Sequence, residues 1–410
     1  MNYRKLITVP IAIVMLFAAV PGFAVDVNEL ERRLNIVSEE LDRLKNSSGG
    51  SGIAHRTSVH GYGETHFNMP EGAGAKLDQH RFVIGIHSEI TNWIHLNAEI
   101  DFEHAVTENE FELGYLDFLI SDALNFRTGI VLMPMGNLNE FHEPNLYFSA
   151  ERPDFHSKLI PSSWQQAGAG IFGAKGDISY RFYITNAVLA LDGTRKFRPD
   201  DFIRKGRTQP SNIEIGSLAI SGRLEKKAPG GQAGFSLYYG NAAGDAGHAS
   251  DYSAATTIVV ADYKTRRGAW DYDFGVMKGW VEDTDKMNAD CGFYACAGDI
   301  PQSAFGLLAQ VAVHVPQLLG KNTVHDFIPF IMYQKIRPND KQGEKNTSAS
   351  NHKRNFDVLS VGLSYMPHPQ VALKATWNTN YYAGEEVAGA VAGTAGTSKN
   401  QFDMAIAYQY

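Results

Sequence analysis

The sequence predicts an all-β chain: a transmembrane antiparallel β-barrel of about sixteen strands, preceded by a short periplasmic N-terminal coiled-coil helix. Three observations predict it. Segment after segment alternates large apolar residues with small or polar ones over about ten positions. Short turns alternate with long connections between those segments. The 410-residue chain also opens on an export leader and stops on an alternating strand that ends in an aromatic residue.

Residues 1–24 read as a signal peptide. Arg4 and Lys5 are its charged region, Leu6 to Val20 its apolar run, and Gly22-Phe23-Ala24 its small-x-small cleavage site. No later run of about 18 apolar residues exists to form a membrane-spanning helix. Residues 25–45 carry Val27, Leu30, Leu34, Val37, Leu41 and Leu44 at alternating spacings of three and four, a heptad seam. Such a short helix is marginal alone, so it either associates with copies of itself or packs on its own barrel. Residues 46–56 begin Asn-Ser-Ser-Gly-Gly-Ser-Gly, a flexible linker, and the barrel domain spans 57–410.

The expected strands are 57–68, 79–91, 94–106, 109–121, 124–133, 167–173, 177–187, 213–226, 231–241, 254–267, 269–283, 301–316, 323–338, 354–367, 369–384 and 400–410. In the last of them Phe402, Met404, Ile406, Tyr408 and Tyr410 share one face and Asp403, Ala405, Ala407 and Gln409 the other. That pattern fits a closing strand with lipid on one side and its terminal aromatic in the interfacial girdle. Short turns on an even strand count face the periplasm, and long loops face outside. About sixteen strands leave a water-filled lumen.

The net charge of −8 becomes more negative once Arg4 and Lys5 leave with the leader, which argues against nucleic acid as a partner. The two cysteines, Cys291 and Cys296, sit in one loop of an exported chain, where a local disulfide is expected. The inward faces carry charges of both signs. The basic set is Arg81, Arg127, Arg181, Arg223, Lys264 and Lys374. The acidic set includes Glu64, Glu89, Glu99, Asp101, Glu103, Asp262, Asp271 and Asp273. Charges in that number exclude a dry interior, and they are expected to form a basic wall and an acidic wall. The longest connection, 134–166, carries His142, Glu143, Glu151, Arg152, Asp154, His156 and Lys158. It either folds inward as a constriction or lies outside as a lid.

Several of these segments resemble a known family. Gly129…Met133-Pro134-Met135-Gly136, His142-Glu143-Pro144, Arg152-Pro153 and Ile160-Pro161-Ser162-Ser163-Trp164…Gly168 are similar to the phosphate-selective porin O and P family. Gly61-Tyr62-Gly63, Gly222-Arg223-Leu224 and Leu373-Lys374 fit the same pattern, so the likeness covers nearly all of the chain after the linker. The resemblance implies a sixteen-stranded, commonly trimeric porin that passes small anions or other small solutes. The chain departs from the family where Val131 and Met332 stand at inward positions expected to be basic, so the likeness does not carry phosphate selectivity with it.

No recognised catalytic motif stands out in the sequence. There is no Gly-x-Ser-x-Gly elbow, P-loop, dinucleotide fingerprint or His-Glu-x-x-His helix. His55, His60, His66, His80, His87, His95 and His104 crowd the first three strands, but isolated histidines in a polar lumen need no metal. No Cys-x-x-Cys-His exists to attach haem, so no cofactor is expected. The expectation is a non-enzymatic outer-membrane porin of a Gram-negative bacterium, a homotrimer in lipid, admitting small hydrophilic solutes or inorganic ions. The alternative is a barrel acting as a scaffold or sheath for a partner protein such as an electron carrier.

Overall fold

A strand that alternates apolar and polar side chains can bury neither face alone; closing sixteen of them into a ring removes every edge and gives each face its own solvent. The computed structural model describes residues 56–192, 194–208, 217–228, 230–243, 253–289, 300–342, 354–383 and 398–410. The leader, the heptad helix, nearly all of the linker and the Cys291–Cys296 pair lie outside the described residues. No helix among the described residues is long and apolar enough to cross a membrane.

The strands are β1 (Thr57–Pro70), β2 (Lys76–Glu89), β3 (Ile94–Glu103), β4 (Glu108–Ser121), β5 (Leu124–Leu132), β6 (Gln165–Lys175), β7 (Ile178–Asn186), β8 (Leu191–Asp192), β9 (Thr194–Arg195), β10 (Leu218–Ala228), β11 (Gly231–Asn241), β12 (Ala255–Arg267), β13 (Trp270–Val281), β14 (Pro301–Val313), β15 (Asp326–Gln342), β16 (Asn355–His368), β17 (Val371–Ala383) and β18 (Ser398–Gln409). β8 and β9 form a small hairpin of their own. The other sixteen close into one antiparallel barrel in chain order, β1 pairing with β18.

That seam is tightly made. Gly61 and Tyr410 exchange backbone hydrogen bonds at 3.0 and 2.9 Å, and the Tyr410 hydroxyl donates to the Val83 carbonyl at 3.0 Å. A Cβ on Gly61 would stand 2.1 Å from the Val83 carbonyl oxygen and 2.6 Å from the Tyr410 hydroxyl, so a side chain there would collide with the β2 backbone as well as the terminal ring. The expected outward face of the closing strand is outward: Met404 and Ile406 are exposed, while Asp403, Ala405 and Ala407 are buried inside. Phe82, Phe126, Phe182, Phe235, Phe274 and Trp377 continue the apolar belt around the barrel.

Three expectations need correction. The strand expected over 94–106 ends at Glu103, because His104, Ala105 and Val106 all take left-handed backbone angles (φ 48, 53 and 74°). The interior is not polar throughout. Ile258, Val260, Met277, Leu308, Ile328, Phe330, Met332 and Ile336 line the inside of β12 to β15, and inward-folded loops cover them. Acids and bases are not segregated on two walls either; they alternate as ion pairs around the ring.

Candidate functional site

The connection 133–164 leaves the top of β5, crosses the lumen and returns to β6, so the choice between constriction and outer lid resolves to an inward loop. Its apolar residues sit against the apolar wall. Met133, Met135, Phe155, Leu159, Ile160 and Trp164 are each at most 1% exposed. Each such side chain contributes about 1.5–3 kcal/mol on burial, enough in sum to keep the loop docked. The wall is cut to fit: a Cβ on Gly306 of β14 would lie 2.3 Å from the Leu159 methyl and 3.0 Å from the Phe155 ring, so a side chain there would push Leu159 from its seat.

Polar ties then fix the loop to strands all around the ring. The Gly136 amide donates to the Ser236 hydroxyl of β11 at 3.2 Å, and the Asn137 amide group donates to Asp273 of β13 at 3.0 Å. The Ala150 amide donates to the Thr376 hydroxyl of β17 at 2.8 Å, and the Phe155 amide to Gln334 of β15 at 2.9 Å. His142 meets the Tyr62 hydroxyl of β1 at 2.7 Å and Glu112 of β4 at 3.1 Å. The Tyr147 hydroxyl donates to Glu64 at 3.2 Å. Described residues of the next long connection, 197–204, add a buttress. Phe197, Phe202 and Ile203 are buried, and the Arg204 guanidinium donates to the Ser162 hydroxyl at 3.2 Å.

The expected basic residues face inward, each already partnered. Arg81 pairs with Glu64 at 2.7 Å across the β1–β2 ladder and donates to the His142 carbonyl at 3.0 Å. Arg127 grips both carboxylate oxygens of Asp117 at 2.7 and 2.9 Å and stacks on Tyr115. Arg181 contacts Glu140 and Glu225 at 2.7 and 2.8 Å. Arg223 forks onto Asp262 and also holds Glu225. Lys264 reaches the Leu146 carbonyl at 3.5 Å and stands opposite Asp273 in the β12–β13 ladder. Lys374 lies buried over the Tyr147 ring and donates to the carbonyls of Pro144 and Ser149. Of the expected acids, Glu99 lies 3.9 Å from His60, Asp101 is buried opposite Val83, and Glu103 reaches the mouth of the lumen.

Above the loop lies a vestibule of about 370 Å³. It gathers Glu64, Arg81, Glu103, Glu151, Arg152, Asp154 and Lys158 of the expected set, and adds His66, His80, Arg204 and Asp403. His142, Glu143, Glu99, Asp101, Arg127, Arg181, Arg223, Lys264 and Lys374 stand outside it. The loop's own charges are tuned by their surroundings. Burial lowers the Arg152 guanidinium to about 10, with Arg81 beside it adding repulsion. Burial alone would raise the Glu151 carboxyl, but His66 at 2.9 Å and the Asn68 amide at 2.6 Å hold it below its usual range. Burial pushes the His156 imidazole well below its usual value, and Arg152, Arg223 and Lys264 push it the same way.

The sequence reading missed Tyr62, Glu112, Asp117, Glu140, Tyr147 and Glu225 as members of this network. Two of the ion pairs, Glu64 with Arg81 and Asp117 with Arg127, stand opposite each other in their hairpins, but a register slip lies between each pair and its turn, so counting from the turn misses both by one residue.

No protein-family model matches the chain. An uncharacterized protein of Aquifex aeolicus (strain VF5) is 28% identical over 337 residues, 78% of this chain and 74% of that protein. Among solved structures, Salmonella typhi OmpF in complex with daunomycin superposes with a TM-score of 0.56 at 8% identity, over 86% of this chain and 97% of that one. The outer-membrane channel DcaP of Acinetobacter baumannii superposes with a TM-score of 0.55 at 10% identity, over the same shares. OmpT of Vibrio cholerae in its trimer form gives 0.53 at 8% identity, over 86% and 99%. At these identities the likeness is one of fold: a closed sixteen-stranded antiparallel barrel of the outer-membrane porin type.

Proposed function

We propose that the chain is an outer-membrane porin, a water-filled channel for passive diffusion of small hydrophilic solutes or inorganic ions. One observation carries the reading: a loop tied across the lumen beneath a charged vestibule, inside a barrel with an apolar outer belt. The polar passage runs along β1 to β7, where His87, Asn97, Asp117 and Arg127 continue the inward face below the loop. The apolar wall on the opposite side serves to anchor the loop.

The pairing of the wall arginines Arg81, Arg127, Arg181 and Arg223 with carboxylates favours weak selectivity over a phosphate-selective basic ladder. Phosphate remains one anion among those the channel would admit, and the resemblance to the porin O and P family rests on the loop motifs. In this reading residues 1–24 are the leader. Residues 25–45 form a periplasmic coiled coil joined by 46–56 to the barrel, and three copies assemble in the outer membrane of a Gram-negative bacterium. A sheath around a partner protein fits less well, because the inward loop occupies the bore such a partner needs.

The test is conductance. Purified protein in a planar bilayer should give discrete ohmic steps in KCl, with a reversal potential close to zero under a salt gradient. Absence of any conductance from folded protein would refute the channel, and a strongly anion-selective potential would refute the weak selectivity.

A further inference from the structure

At the outer rim of the vestibule three metal-binding side chains converge that the channel reading does not use. Asp78 and His80 come from β2, and His104 follows β3. The Asp78 Oδ2 atom lies 2.8 Å from His104 Nδ1 and 3.3 Å from His80 Nδ1. One donor atom from each residue falls within 4.8 Å of the others. All three side chains are 31–39% exposed, open enough for an ion to enter from water.

Two local distortions make the meeting possible. The β1–β2 ladder slips between Glu64/Arg81 and Thr65/Gln79, so His80 is an extra residue on β2. A bulge of this kind re-aims a side chain that regular pleating would send elsewhere. On the other side, His104, Ala105 and Val106 hold φ values of 48, 53 and 74° in sequence. For a β-branched valine that is a strained conformation, and it brings His104 back over Asp78. His66 is not a fourth ligand. Its ring nitrogens already meet Glu64 at 3.0 Å and Glu151 at 2.9 Å, and its ring stacks on His80 at 4.4 Å, fixing that imidazole plane.

We infer that Asp78, His80 and His104 form a binding site for a divalent first-row transition metal at the mouth of the barrel. Two imidazoles and one carboxylate suit zinc-like ions and poorly suit Mg²⁺, which prefers an all-oxygen shell. Bonds of about 2.0–2.1 Å in a tetrahedral shell put neighbouring donors roughly 3.3 Å apart. The His80–Asp78 separation already has that value, and the His104–Asp78 contact needs to open by about half an ångström. Three protein ligands leave a fourth position for water, and Glu103 and Glu108 beside His104 add negative charge.

The probe is ZnCl₂ titrated calorimetrically into tag-free, chelator-stripped full-length protein in detergent. The wild type should bind one Zn²⁺ per chain and give no heat with MgCl₂. His104→Ala and Asp78→Asn should each weaken binding by at least about tenfold, while His325→Ala at the opposite end leaves it unchanged. Heat-modifiable gel migration confirms that each variant is a folded barrel, and His80→Gln stands in for any variant that is not. The inference is overturned if the wild type binds no Zn²⁺, or if folded variants of the three ligands bind it as the wild type does.

Discussion

Arg181 of β7 donates to Glu140 of the lumenal loop at 2.7 Å, and its other guanidinium arm holds Glu225 of β10 at 2.8 Å. One wall arginine therefore ties the loop to two neighbouring strands. Both partners of the loop contact are largely shielded from water, so the tie is worth more than a surface pair.

Glu140→Ala tests that tie. Arg181 keeps Glu225, so the barrel should still fold, while the loop loses about 1–3 kcal/mol of its docking. Open-channel current noise in a bilayer should rise in the variant, with brief high-conductance excursions absent from the wild type. Identical noise would mean that the loop is held by its apolar contacts alone.

Lys374 offers a second handle. Its ammonium group donates to the Pro144 and Ser149 carbonyls of the loop. Lys374→Met keeps the volume and removes the donor, leaving buried carbonyls at a cost of about 1–3 kcal/mol each. Limited trypsin digestion should then cut the loop after Lys158, before Leu159, in the variant and leave the folded wild type intact there. Equal resistance would remove Lys374 from the account.

The barrel was legible because its rules are local. Alternation in Phe402 to Tyr410 gave the lipid face, and the rhythm of short and long connections gave sixteen strands. The lumen was less legible because its partners are distant in sequence. Phe155 docks against Gly275 and Gly306, more than a hundred residues away, and no periodicity in 133–164 announces it. One signal was present: β15 is apolar on both faces, with Phe327, Ile331 and Tyr333 outside and Ile328, Phe330 and Met332 inside. A strand of that kind must be covered from both sides. Met332, which stood where a basic residue was expected, is part of the loop's seat.

The His156 imidazole predicts a pH dependence. It is 2% exposed, its Nδ1 has no hydrogen-bond partner, and Arg152, Arg223 and Lys264 surround it with positive charge. Docked, it stays neutral well below its usual range; in a released loop it takes a proton near pH 6.5. The released state therefore binds more protons below pH 6.5. Docking is unaffected above that value and weakens by about 1.4 kcal/mol per unit as pH falls beneath it. Glu151, held below its usual range, adds a separate loss only nearer pH 4. Trypsin sensitivity of the loop should rise between pH 6.5 and 5.5, and His156→Phe should abolish the rise in that window. A rise unchanged in His156→Phe would assign the effect to another group.

The central claim is that residues 137–163 set the constriction of an aqueous channel. The most direct measurement is single-channel conductance of the wild type beside a variant in which 137–163 is replaced by a short Gly-Ser linker, both verified as folded barrels. The account predicts a several-fold larger unitary conductance without the loop. Equal conductances, or a loopless barrel that conducts nothing, would contradict it.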